Sequence, residues 1–226
     1  MLVKTNHSVP LHLINTAREE FNFTEFRTSI NKPTGNFFYD PWEIKDEFKN
    51  TIWEQLLDTL PYTVGEARVI NLKMGTCYQS HSDIDDRYHL NIQGDISYLV
   101  NLDTDTMHRV TNDGFWYDLD AGAKHTAVNV GVEYRLQLVV RKLLLNNEVS
   151  NPTNITIKSP LSNVDRTRFM FDNQLSGILN MYNKTNIINK FNPAVDGLSV
   201  SMTINSDYIS ELESLLPPNF YIERIT

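Results

Sequence analysis

From Glu66 to about Leu145 apolar and polar residues alternate in short stretches separated by turn residues, and this run limits the fold more than any other part of the chain. A period of two places successive side chains on opposite faces, which suits strands with one buried face. The alternation predicts strands over Ala67–Lys73, Arg87–Gln93, Ile96–Leu102, Met107–Thr111, Phe115–Leu119, Lys124–Val130 and Tyr134–Leu145. Gln93-Gly94-Asp95, Asn112-Asp113-Gly114, Ala121-Gly122-Ala123 and Val130-Gly131 fall between strands, as antiparallel pairing requires. Strands this short and this numerous fit a barrel or a jelly roll. The chain is therefore expected to be mainly β.

The flanks read differently. The first forty residues, with Phe21, Phe23 and Phe26, then Phe37, Phe38 and Tyr39, around a turn at Lys32–Asn36, suggest strands or extended segments. Asp40-Pro41-Trp42-Glu43 has the form of a helix start. Ile44, Phe48, Ile52, Trp53, Leu56, Leu57 and Leu60 then recur at helical spacing, which predicts a helix that Pro61 ends. Residues 146–160 are rich in Asn, Ser, Thr and Pro and read as a linker. Beyond them a helix is expected over about Asn163–Tyr182, a strand over Leu198–Ile204, a helix over Ser206–Leu215 and a strand over Phe220–Ile225. The expected organisation is a β domain over 1–145 with its helix, a linker over 146–160, and a small α+β unit over 161–226.

A hydrophobic content of 41% over 226 residues is ample for a core. No apolar run approaches the roughly 20 residues of a membrane span, and the amino-terminal residues carry Lys4, Asn6 and His7 where a signal peptide would be apolar. The single cysteine, Cys77, rules out an internal disulfide and fits a reducing compartment, so the expected location is cytoplasmic. Cys77 itself reads as a small buried apolar residue. A net charge of −8 disfavours a broad grip on nucleic acid.

Within the strand run lies a group with the makings of a metal site. His81-Ser82-Asp83 offers two ligands that share a face. His125 lies several short strands downstream and supplies a second imidazole. Two histidines and one carboxylate on one side of a metal leave its other side open, the platform of non-haem ferrous oxygenases. Arg135, on the strand after His125, has a guanidinium suited to hold the far carboxylate of a dicarboxylate. Tyr78 adds a hydroxyl donor to that carboxylate. His89 competes as a ligand on position but has Asn91, not an acid, two places on, so a role in supporting the ligands or toward a co-substrate is preferred. Arg87 either contacts a ligand or pairs with Asp85, Asp86 or Glu133 at the surface.

Tyr78-Gln-Ser-His81-Ser-Asp83, Arg87-Tyr-His89-Leu-Asn-Ile92, Gly114-Phe-Trp116-Tyr-Asp118, His125-Thr-Ala-Val-Asn129 and Arg135, taken in order, resemble the aspartyl/asparaginyl β-hydroxylase family, which includes the L-proline hydroxylases. The likeness spans about Ile70 to Val140. It implies a double-stranded β-helix (a jelly roll, cupin-like) that uses Fe(II) and 2-oxoglutarate with O2. His81, Asp83 and His125 would hold the iron, and Arg135 the co-substrate. Arg87 and His89 would reach the co-substrate or a substrate carboxylate. The implied reaction hydroxylates an amino acid, or an Asp-, Asn- or Pro-type side chain of a peptide or protein, and yields succinate. Animal aspartyl hydroxylases have glycine where this chain has Asp83, which sets the chain nearer the amino-acid hydroxylases. The rival expectation is a non-catalytic jelly-roll module that binds a metal or a small anion.

Overall fold

The computed structural model describes residues 2–159, 175–194 and 198–225. The chain divides into two compact units: Met1–Ser80 with Asp85–Leu143, and Leu144–Thr226 with the short stretch His81–Ile84.

In the first unit the chain runs through β1 (Leu2–Ser8), α1 (Leu11–Glu19), β2 (Arg27–Ser29), β3 (Asn31–Pro33), β4 (Trp42–Ile44), α2 (Ile52–Leu57), β5 (Val64–Leu72) and β6 (Thr76–Cys77). It continues through β7 (Arg87–Gln93), β8 (Ser97–Asn101), β9 (Thr106–Arg109), β10 (Phe115–Leu119), β11 (His125–Asn129) and β12 (Arg135–Lys142). Two antiparallel sheets result. One has the order β1-β10-β7-β12-β5-β2 and the other β6-β11-β8-β9. From β5 to β12 every connection passes from one sheet to the other except the β8–β9 hairpin. That alternation is the winding of a double-stranded β-helix.

Period two explains how the larger sheet is used. Leu90 and Ile92 of β7 and Leu136, Leu138 and Val140 of β12 are fully buried in a cluster with Ile14 and Ala17 of α1 and Ile52, Trp53 and Leu56 of α2. Burying each large apolar side chain contributes about 1.5–3 kcal/mol, so this face carries most of the unit's stability. The opposite face presents Arg87, His89 and Asn91 from β7, matched in register with Arg141, Val139 and Gln137 of β12. Those polar side chains are also buried. Buried polar groups need partners or ligands, and this face is where the chemistry is to be sought.

The second unit holds β13 (Pro152–Lys158), α3 (Ser176–Lys184), β14 (Ile188–Pro193), β15 (Ser199–Asn205), α4 (Ile209–Leu215) and β16 (Tyr221–Arg224). Its sheet has the order β14-β15-β13-β16. Ile155 and Ile157 alternate with Thr156, whose hydroxyl lies 2.9 Å from that of Ser201 on β15. Among the described residues no helix is long and apolar enough to cross a membrane.

Several expectations change. The helix expected after Asp40 shrinks to α2. The Asp40 carboxylate accepts the Asn36 N–H at 2.6 Å and closes a loop instead of capping a helix. Trp42–Ile44 pair as a strand with Asn31–Pro33, and Asn50 at φ 60 interrupts the helical path. Leu11–Glu19, read as extended, is a helix with Ile14 and Ala17 buried. The linker expected over 146–160 contains β13, which pairs on both sides. The expected helix over Asn163–Tyr182 is α3 in its last part, and 163–174 lie outside the described residues. Cys77, read as buried, is exposed at the sheet edge.

Candidate metal centre

His81 and Asp83 stand in the connection between β6 and β7, and His125 is the first residue of β11. One ligand atom from each lies within 4.8 Å of the other two, and His81 Nε2 is 3.7 Å from Asp83 Oδ2. The stretch 81–84 is tied down at its end by the Asn180 amide, which donates to the Ile84 carbonyl at 3.0 Å. His125 is buried, while His81 and Asp83 are half-buried. Backbone bonds hold the start of β11: Leu102 N–H donates to the Lys124 carbonyl, and Lys124 N–H to the Asp103 carboxylate at 2.7 Å.

The His125 Nδ1 lies 2.8 Å from the Ala123 carbonyl. A carbonyl only accepts, so Nδ1 carries the proton and Nε2 keeps its lone pair in the neutral ring. Metal-bound histidines are held in this way, the second nitrogen fixing the tautomer. Two imidazole nitrogens and one carboxylate oxygen suit a divalent transition metal such as Fe(II) and leave other positions for ligands.

Arg135 opens β12 and is 1% exposed. Its Nη1 donates to the Tyr98 carbonyl at 3.2 Å and its Nη2 to Gln137 Oε1 at 2.6 Å. Among the described residues no carboxylate pairs with it. Burial pulls the guanidinium down to about 10. A charge kept in such a place without an acid favours an anionic ligand that would restore its balance.

Tyr78 follows β6. Its N–H donates to the Ala127 carbonyl, and its own carbonyl accepts from the Thr126 hydroxyl at 2.6 Å. Burial pushes its hydroxyl up to about 12, against the pull of Arg27, Arg135 and Arg68. The phenol therefore keeps its proton near neutral pH and stays a donor within the field of Arg135.

Arg87 pairs with Asp85, Nη2 to Oδ1 at 2.8 Å, and Arg141 holds the other oxygen of the same carboxylate. The pairing anticipated for Arg87 at the surface is thus made in the interior, where Asp85 is 1% exposed. His89 faces the same interior and lines a narrow recess with Asn91, Gln137, Leu99 and Val110. Asn91 and Gln137 were missed by motif reading. The signal was present, since period two sets Asn91 on the face of Arg87 and His89, and Gln137 on that of Arg135.

No family model and no curated protein matches the chain. Among solved structures, CapF bound to the inhibitor 3-isopropenyl-tropolone aligns with 14% identity and a TM-score of 0.31 over 51% of this chain and 31% of CapF, so the chain spans under a third of that protein. A prolyl-4-hydroxylase from Pseudomonas putida aligns with 16% identity and a TM-score of 0.35, over 62% of this chain and 90% of the other.

Proposed function

We propose that the protein is an Fe(II)- and 2-oxoglutarate-dependent dioxygenase that hydroxylates an amino acid, or an Asp-, Asn- or Pro-type side chain in a peptide or protein. The observation that carries this reading is the group His81, Asp83 and His125, two imidazoles and one carboxylate with ligand atoms within 4.8 Å of one another. Arg135 supports it as a buried cation suited to a dicarboxylate. Iron held by the three ligands would supply the coupling of 2-oxoglutarate and O2 to succinate, CO2 and a hydroxylated C–H bond.

The residues of the chain have their own tasks in that reaction. The Ala123 carbonyl holds His125 in the tautomer that binds metal. Arg135, with the Tyr78 hydroxyl as a further donor, orients the far carboxylate of 2-oxoglutarate. His89 lies on the same interior face and contributes toward the co-substrate. Arg87 acts with Arg141 around Asp85, giving a positive interior beside the site. The exposed free thiol of Cys77 is in keeping with a reducing, cytoplasmic setting.

Anaerobic addition of Fe(II) and then 2-oxoglutarate is expected to produce the weak visible charge-transfer band of the chelate. His125→Ala should abolish the band, and Arg135→Leu should demand far more 2-oxoglutarate to form it. A wild-type protein without the band would leave only the non-catalytic module. Succinate release across a panel of free amino acids and peptides then identifies the substrate.

A further inference from the structure

The interior face beside Arg135 has more hydrogen-bonding capacity than its neighbours use. Asn91 of β7 and Gln137 of β12 stand opposite each other in register, at 2% and 4% exposure. Gln137 gives its oxygen to Arg135, which leaves its amide nitrogen without a partner among the described residues. Both the oxygen and the nitrogen of the Asn91 amide likewise lack partners among the described residues. Buried amides are nearly always matched, and those left unmatched in a native fold call for a ligand or another specific cause. The two amides share the narrow recess with His89 and the apolar side chains of Leu2, Leu99 and Val110.

We propose that Asn91 and Gln137 are specificity residues for the co-substrate, their amide N–H groups completing the donor set that Arg135 offers its terminal carboxylate. The proposal rests on the 2-oxoglutarate reading above. Its logic lies in the donors. Two nitrogens of Arg135 already face Tyr98 and Gln137, so the fork it offers is partly used, whereas a carboxylate accepts about four hydrogen bonds. The neighbouring amides supply the missing donors without adding a second buried charge. Because Gln137 is held by Arg135 and Asn91 by strand register, the donors sit at a fixed depth and measure chain length. A 2-oxo diacid one carbon shorter, oxaloacetate, withdraws its carboxylate from the amides. One carbon longer, 2-oxoadipate, forces it into them.

The test is calorimetric titration of the whole protein, loaded with Mn(II) as a redox-inert stand-in for iron, with 2-oxoglutarate, oxaloacetate and 2-oxoadipate. Wild type is expected to prefer 2-oxoglutarate. Asn91→Leu should weaken its binding about tenfold while the ligand-free melting temperature holds or rises, because an unmatched buried amide has been removed. Asn91→Ala, which opens the recess, should shift preference toward 2-oxoadipate and serves the same test if the leucine variant does not fold. Gln137→Leu should weaken all three diacids. Wild-type binding with 2-oxoglutarate affinity within twofold in the Asn91 variants, or an affinity loss matched by a drop in ligand-free melting temperature, overturns the proposal alone. Absence of binding by wild type overturns it together with the reading on which it rests.

Discussion

Asp85 binds two guanidinium groups where almost no solvent reaches, Arg87 on one oxygen and Arg141 on the other. Removing the shared partner strands two buried cations, a loss of about 3–5 kcal/mol for a pair broken from one side. Asp85→Ala is therefore expected to lower the unfolding free energy by roughly that amount in urea titration, and a loss under about 1 kcal/mol would mean the pairing is dispensable. Tyr78 offers a pH test. Its hydroxyl is raised from 10.0 to about 12 by burial, so the folded protein keeps this proton longer than the unfolded chain. The resulting stability is intact below about pH 10 and is lost as the pH rises toward 12. Tyr78→Phe should show a shallower fall in unfolding free energy across that window, measured by alkaline titration of urea unfolding. An unchanged slope would place Tyr78 in a wetter setting. At this scale the grouping of His81, Asp83 and His125 was legible because His-x-Asp and a later histidine form a pattern along the chain. Arg87 with Asp85, and Asn91 with Gln137, were not, since their meaning comes from strand register and from a burial that no local pattern states.

Of strands β5 to β12 all but the two-residue β6 were legible because alternation is itself the record of one buried face; β7 and β10 have the expected bounds, Arg87–Gln93 and Phe115–Leu119. The helix expected after Asp40 failed because helical spacing of apolar residues also arises where a strand, a turn and a short helix each bury one or two of them. Ile44, Phe48 and Ile52 reach the same core from three different elements. Past β2 the edge of the larger sheet is finished by a side chain. The Asn31 amide donates to the Gly65 carbonyl at 2.9 Å and accepts from the Ala67 N–H at 2.7 Å, taking the place of a strand neighbour. Asn31→Leu leaves two buried backbone groups of β5 unmatched, at about 1–3 kcal/mol each. A destabilisation of about 2–6 kcal/mol is expected, with faster amide exchange at Ala67. Full protection of that amide in the variant would show that the side chain is not what holds the edge.

For the molecule as a whole, the β class followed from the alternation alone, but the order in which strands pair did not, because winding between two sheets leaves no trace in local spacing. The same limit hid β13: Ile155 and Ile157 do alternate with Asn154, Thr156 and Lys158, yet flanking Asn, Ser and Pro residues give the stretch the composition of a linker. What the fold builds is a contrast of charge. A chain of net charge −8 encloses Arg87, Arg135 and Arg141 on one interior face with Asp85 between two of them, all at 7% exposure or less. Holding Arg135 there without an acid among the described residues costs stability in the ligand-free state, so a ligand that balances it returns stability to the whole fold through linkage. At a concentration a hundred times its Kd, 2-oxoglutarate bound with Mn(II) should add about 2.7 kcal/mol, a rise in melting temperature of roughly 5–10 °C for a chain of this size. Chelation by EDTA should reverse the rise, and His125→Ala should lack it. Arg135→Met separates the two contributions: its ligand-free form should melt no lower than wild type, because the unpaired charge is gone, yet 2-oxoglutarate should no longer raise the midpoint. An equal rise in His125→Ala and wild type would place the diacid away from His81, Asp83 and His125 and break the proposed link between Arg135 and the candidate metal centre.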